Sequence, residues 1–171
     1  MPFLEVVTRA YKRPTMLARN IASLRAQTDP DYSQVLLVDE IGIGVPEANA
    51  VLSRFVPMGE WVWVLDDDDM CIYDNLIADL KRVSTETPDI DAIMVRMEHE
   101  CGIILPSDED WKTGRMKLGG VGMSAPIVRR STWANHCHAF ASGNYYADFD
   151  FIFSLFKSKP RLGWLDVVAS K

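Results

Sequence analysis

Short apolar runs alternate with amphipathic stretches along the first half of the chain. Phe3 to Thr8 is apolar and β-branched enough to predict a first strand. Arg13-Pro14 opens a helix whose Leu17, Ile21 and Leu24 repeat at helical spacing and predict its buried stripe. Asp29-Pro30-Asp31 ends that helix, and Val35 to Val38 is a second apolar run closing on Asp39. Glycines 42 and 44 mark a loop, and Pro46 starts a helix with Ala48, Val51, Leu52 and Phe55 on one face. Trp61 to Leu65 is five consecutive bulky apolar residues, the pattern of a strand buried on both faces.

Farther along, Leu76, Leu80 and Val83 predict a third helix stopped near Pro88. Ala92 to Met97, Gly102 to Leu105 and Ala125 to Arg129 read as strands, with Ser131 or Thr132 capping a helix after the last of these. Asp148 to Lys157 reads as helix and Trp164 to Ala169 as a final strand. The polar stretch from Pro106 to Lys117, which includes Trp111, Lys112, Arg115 and Lys117, predicts a surface loop or lid. Strand-helix-strand-helix-strand order requires parallel pairing with crossover helices, so the expected class is α/β, with antiparallel members added in the second half.

Composition adds limits. The chain has 171 residues, the length of one domain, and 48% are apolar, enough for a sizeable core. A net charge of −6 lacks the basic stripe of a nucleic-acid binder. No apolar run approaches the roughly 20 residues of a bilayer-spanning helix, and no signal-peptide pattern opens the chain. Cys71, Cys101 and Cys137 have no CxxC spacing and suit reduced thiols in a cytoplasmic protein. His136-Cys137-His138 does not match a zinc spacing.

The chemistry concentrates at predicted strand ends. Asp66 to Asp69 follow the most apolar strand, and four adjacent carboxylates repel one another and raise the pKa of at least one. A divalent cation relieves that repulsion, and Mg²⁺ or Mn²⁺ prefers such hard oxygen ligands together with substrate phosphates. In a parallel sheet the ends of neighbouring strands converge. Thr8-Arg9-Ala10-Tyr11-Lys12-Arg13, Asp39 and the aspartates would then meet at one edge. They offer a ring to stack on a base, a carboxylate for base or ribose, basic groups for phosphate and metal ligands, a set that suits a nucleoside diphosphate. Taken singly, a strand-end aspartate is commonly a turn cap and a run of charge a solvated turn.

Four stretches resemble the family 2 glycosyltransferases. Val6 to Pro14 running to Leu17 and Gln27-Thr28 is similar to that family's opening strand, nucleotide loop and first helix. Val35 to Asp39 resembles its second strand and uracil-side aspartate. Glu47-Ala48-Asn49-Ala50, Gly59-Glu60 and Leu65 to Asp69 resemble the approach to its DxD metal motif, and Ala147-Asp148-Phe149-Asp150 its acceptor-side carboxylate segment. The resemblance implies a single GT-A domain over residues 1–171, a three-layer α/β/α sandwich with a mostly parallel mixed sheet. Residues 1–100 would form the nucleotide and metal half and 101–171 the acceptor half.

It also implies transfer of a sugar from a nucleotide-sugar donor, a UDP-sugar in the first place, to a hydroxyl of a saccharide or other acceptor, with inversion. On that basis Thr8, Arg9, Tyr11, Arg13, Asp39, Asp66, Asp67 and Asp68 would bind the donor nucleotide. Asp68 and Asp69 would hold Mn²⁺ or Mg²⁺, and Asp148 (or Asp150) would serve as base. Apart from the resemblance, Trp111, Trp133, Tyr145 and Tyr146 could stack on a sugar acceptor, Trp111 first because its loop is polar, and Gly120 could let backbone approach the donor sugar or acceptor or simply turn the chain. The glycines at 119, 120 and 122 match neither a dinucleotide fingerprint nor a P-loop.

Three departures stand out: Ala147 where an acid is usual, Ala48 where an arginine often precedes the asparagine, and an end at Lys171 just after the last predicted strand. Two alternatives follow. A nucleotide-sugar-binding module without turnover is one. The other is a phosphatase of the haloacid dehalogenase type, whose DxD nucleophile motif resembles Asp66-Asp67-Asp68.

Overall fold

A computed structural model of the chain describes residues 1–99, 101–114 and 119–171. Seven strands form one sheet: β1 (Leu4–Ala10), β2 (Tyr32–Val38), β3 (Trp61–Val64), β4 (Ala92–Glu98), β5 (Ile104–Leu105), β6 (Pro126–Arg129) and β7 (Leu162–Ser170). The order is β2-β1-β3-β6-β4-β5, with β7 on β4. Since β6 and β7 both pair with Ala92, Ile93 and Met94, they flank β4 on opposite edges. β1 pairs in parallel with β2 and β3, and β7 with β4, while β6 and β5 run antiparallel to their neighbours. The sheet is therefore mixed but mostly parallel, as the alternation of elements predicts.

Both faces are covered. Alternation along β3 sends Trp61, Trp63 and Leu65 to one core, with Leu24 of α1 (Pro14–Arg25) and Leu76, Ile77 and Leu80 of α3 (Leu76–Glu86). Val62 and Val64 face the other core with α2 (Val45–Leu52), α5 (Arg130–His136) and α6 (Ala147–Lys157). There Phe140 stacks on Phe151 with ring centroids 4.8 Å apart, and Trp133 packs against both. Each such buried side chain contributes about 1.5–3 kcal/mol. The unbroken apolar run of β3 is explained by this two-sided burial.

Several local expectations are corrected. The first strand runs on to Ala10, not Thr8. The inward residues of α1 are Asn20 and Leu24, with Gln27 buried just past its end, while Leu17 and Ile21 are only half-buried. The polar stretch after Pro106 contains a helix, α4 (Asp108–Thr113). Ser107 caps it: its hydroxyl accepts the Asp110 N–H at 3.2 Å and donates to the Asp110 carboxylate at 2.8 Å. Arg115 and Lys117 of the same stretch lie outside the described residues. Ser131 and Thr132 sit inside α5, whose cap position is Arg129, so neither is a capping residue. All three cysteines are free. Among the described residues no helix is long and apolar enough to cross a membrane.

Candidate active site

β1, β2 and β3 end along one side of the sheet, and a cavity of about 790 Å³ opens there. Its lining comes from the β1 end (Arg9, Tyr11, Arg13), the β2 end and following loop (Leu36 to Asp39, Gly42 to Val45), α2, Asp66, Asp68 and Tyr145. The sequence analysis placed Arg9, Tyr11, Arg13, Asp39, Asp66 and Asp68 at one strand-end site, and the fold brings all six to this cavity.

The aspartates are not an unpaired acidic turn. Arg9 forks onto Asp66, Nε donating to Oδ1 at 2.8 Å and Nη2 to Oδ2 at 2.5 Å, and its Nη1 donates to buried Asn49. Burial alone would weaken the Arg9 cation. The Asp66 carboxylate outweighs that, with help from Asp148 and Asp68, and holds its pKa above the usual value. Arg13 spans the next two: Nε and Nη2 donate to Asp67, and Nη1 to Asp68. Asp67 is fully buried, which pushes its pKa up, against the pull of Arg13 and the Tyr11 N–H.

Asp69 has no arginine or lysine partner among the described residues. Burial, then repulsion from Asp66 and Asp68, raise its pKa to about 7, partly offset by a hydrogen bond with Ser124. Repulsion within the run also adds to the rise at Asp67, through Asp68, but burial leads at both residues.

Asn20 explains how the run is held. From the inward face of α1 its Nδ2 donates to the carbonyls of Asp66 at 2.9 Å and Asp69 at 3.0 Å, and its Oδ1 accepts from Gln34. One turn pair later, Gln27 donates to the Tyr73 carbonyl and accepts from the Ile77 N–H. On the other side, Met70 exchanges backbone hydrogen bonds with Lys171. Asn20 is not among the residues expected from the sequence; a polar residue between Leu17 and Leu24, on the buried side of α1, is the signal that finds it.

Asp39 caps the turn after β2. Its two oxygens accept from the N–H groups of Ile41, Gly42 and Ile43 at 3.0, 2.7 and 2.8 Å. Partial desolvation works against ionisation, yet these donors prevail and hold the pKa below the usual carboxylate range. The same turn needs glycine at 42, where φ is +83° and the Tyr11 hydroxyl occupies the space of a Cβ. Tyr11 is thereby seated against the turn, with Lys12 over its ring at 5.0 Å.

Other predicted residues are placed elsewhere. Thr8, inside the lengthened β1, is fully buried towards α1 and accepts from Gln34 at 2.9 Å, so it does not reach the cavity. Asp67 is likewise an internal anchor for Arg13. Trp111 packs edge-on against Trp164 (4.7 Å) under the Arg96 guanidinium, as part of the core, and neither it nor Gly120 lines the cavity. Tyr145, 65% exposed, lines it together with Tyr11. Asp148 and Asp150 both lie in the first turn of α6. Asp148 is close enough to Arg9 to help hold its charge, whereas Asp150 accepts from Asn144 at 3.0 Å.

Hard-oxygen chemistry suits a divalent ion, but the available set is small. Asp66 is held by Arg9 and Asp67 is buried on Arg13. Among the described residues no three acidic, cysteine or histidine side chains converge on one point. Asp68 and Asp69 remain, and Mg²⁺-type ions are commonly held by one or two carboxylates plus substrate phosphates. The rim fits an ion that arrives with a diphosphate.

No protein-family model and no curated protein matches the chain. Solved structures do. S. aureus TarS 1–349 in complex with UDP superposes with a TM-score of 0.72 at 14% identity, over 99% of this chain and 60% of that one. TarS 1–349 gives 0.70 at 16% over the same shares. Its complex with UDP-GlcNAc gives 0.66 at 15%, over 99% and 58%. The chain thus spans about 60% of the length of TarS 1–349. At such identities the shared property is the fold: mixed α/β with a mostly parallel seven-stranded sheet.

Proposed function

We propose that this chain transfers a sugar from a nucleotide-sugar donor, a UDP-sugar in the first place, to an acceptor hydroxyl with inversion. The observation that carries this reading is the convergence, around one cavity, of a ring seat, a strand-end carboxylate, two arginines and two aspartates, with Asp148 near Arg9. The solved fold neighbours in complex with UDP and UDP-GlcNAc support the donor class.

Tyr11 and the apolar strip of Leu36, Val38 and Ile43 suit a nucleobase, and Asp39 stands beside it. Arg13 and Asp68 suit the diphosphate end. A bound Mn²⁺ or Mg²⁺ on Asp68 and Asp69 would neutralise charge developing on the leaving diphosphate. Asp148 takes the proton of the acceptor hydroxyl as its oxygen forms the new bond to the anomeric carbon. The bond from that carbon to the diphosphate oxygen breaks, and the nucleoside diphosphate leaves.

Hydrolysis through an aspartyl nucleophile is disfavoured, because both oxygens of Asp66 accept from Arg9 and Asp67 is buried. A binding module without turnover would share the donor site and lack the role of Asp148.

Calorimetry with UDP, GDP and CMP, each with and without Mn²⁺, tests the donor site. Metal-dependent binding of one nucleotide is expected, and binding of none would overturn the reading. Asp148→Asn should lower transfer about 10²–10⁴-fold, the usual worth of a general base, while leaving nucleotide affinity unchanged. Transfer that survives this change would remove Asp148 from the mechanism.

A further inference from the structure

The two arginines at the aspartate run differ in freedom. Arg9 is 19% exposed and all three of its donating nitrogens are engaged, two on Asp66 and one on Asn49. Arg13 is 44% exposed and has two edges with unlike partners. One edge, Nε and Nη2, grips Asp67, which is fully buried and cannot turn away. The other nitrogen, Nη1, meets Asp68, whose side chain is 46% exposed at the cavity. Asp68 is also one of the two carboxylates left for a cation. In the free protein that carboxylate already has a cationic partner.

We infer that Arg13 makes metal and nucleotide binding mutually dependent, by holding Asp68 until a diphosphate takes its place on the Nη1 edge. This rests on the donor site proposed above. The guanidinium stays anchored on Asp67, and Asp68 is the mobile member, needing only a side-chain rotation. A planar fork matches phosphate and carboxylate equally well, so the exchange keeps Arg13 paired throughout. A metal ion arriving alone must compete with Arg13 for Asp68 and finds only Asp69 besides. One arriving with a diphosphate gains both Asp68 and phosphate oxygens. Binding linkage requires the effect to be reciprocal: UDP strengthens Mn²⁺ binding by the factor by which Mn²⁺ strengthens UDP binding.

The test is Mn²⁺ titration of the full chain, with the free ion followed by electron paramagnetic resonance, with and without saturating UDP. Arg13→Gln removes the competitor for Asp68. A half-exposed pair of this kind limits the gain to about fivefold. Mn²⁺ alone should therefore bind about fivefold tighter, and the strengthening by UDP should shrink several-fold. Arg13→Lys keeps a charge for buried Asp67 but has no second edge, so it should give the same direction if the glutamine variant fails to fold.

Lys12→Gln removes an equal charge from the same loop without touching Asp68, and it should change Mn²⁺ affinity by less than about twofold. Two results would overturn the inference. In one, neither Arg13 variant binds Mn²⁺ tighter than the wild type; in the other, Lys12→Gln matches them. Wild-type protein that binds no UDP at all would instead remove the donor site, and the inference with it.

Discussion

On one side of the cavity, the ends of β1 and β3 are cross-linked by charged hydrogen bonds; on the other, the start of α6 presents rings and carboxylates with few ties. Arg9, Asp66 and Asn49 form one knot, Arg13 with Asp67 and Asp68 a second, and Asn20 fastens the backbone beneath both. Across from them Tyr145 and Tyr146 are 65% and 70% exposed and meet mainly each other, edge to face at 5.3 Å. Among the described residues Asp150 has one side-chain partner, Asn144. Apart from half-exposed Asp68, the first rim is cross-linked on itself. The second is free to adjust to what docks. A transferase needs this division if the leaving diphosphate requires fixed charges while acceptors vary.

Breaking the first rim should therefore cost stability as well as binding. Arg9→Met leaves Asp66 without its fork and Asn49 without its donor in a part-buried site. Removing one partner of a buried pair typically costs about 3–5 kcal/mol, and the residual exposure of this pair places the expected loss near the lower figure, about 3 kcal/mol. Urea unfolding of Arg9→Met measures it. Adding Asp66→Leu should restore part of the loss, because the stranded carboxylate is then gone. A loss under about 1 kcal/mol would place this pair with ordinary surface pairs and erase the contrast between rims.

A smaller loss is expected beneath the same rim. Asn20→Ala removes the side-chain donor to the carbonyls of Asp66 and Asp69, leaving Asp66 with the Asp69 N–H and Gln34 with Thr8 as its remaining acceptor, for about 1–3 kcal/mol. Amide exchange should quicken at Asp69 and Met70 more than in β3 itself, because the substitution frees the loop and not the strand. Uniform quickening would mean that Asn20 serves the core as a whole.

These two rims were unequally legible from the amino-acid sequence. The β1–β3 frame and its strand-end residues stood out because two-sided burial leaves a continuous apolar run, and charge directly after such a run is conspicuous. The pairing of that charge was not visible, since Arg9 and Arg13 lie more than fifty residues from their aspartates in the chain. Asn20 falls outside the apolar positions from which the first helix is read, although an inward polar residue on an amphipathic helix signals a buried backbone group to satisfy. Thr8 was misplaced by a strand end two residues short, enough to keep its side chain in the sheet.

In the second half, Trp111 seemed functional because its neighbours are polar. The Ser107–Asp110 spacing already marked a helix start, and a helix can turn one ring inward to Trp164. The cavity aromatic from the second half, Tyr145, has no periodicity to single it out. Its place follows from the packing of α6.

The smallest effect expected is at Asp150, and it sharpens the comparison within the second rim. Both α6 acids favour the helix N-terminus, where such a charge contributes about 0.3–1 kcal/mol. Only Asp148 also lies in the field of Arg9. Asp150→Asn keeps a hydrogen-bonding side chain beside Asn144 and gives up only the charge, so stability should change by no more than about 0.5 kcal/mol. Transfer should stay within about twofold of wild type, set against the loss of at least about a hundredfold for Asp148→Asn. Comparable losses from both would mean that the two carboxylates act together, and the place of Asp148 in the field of Arg9 would no longer distinguish them.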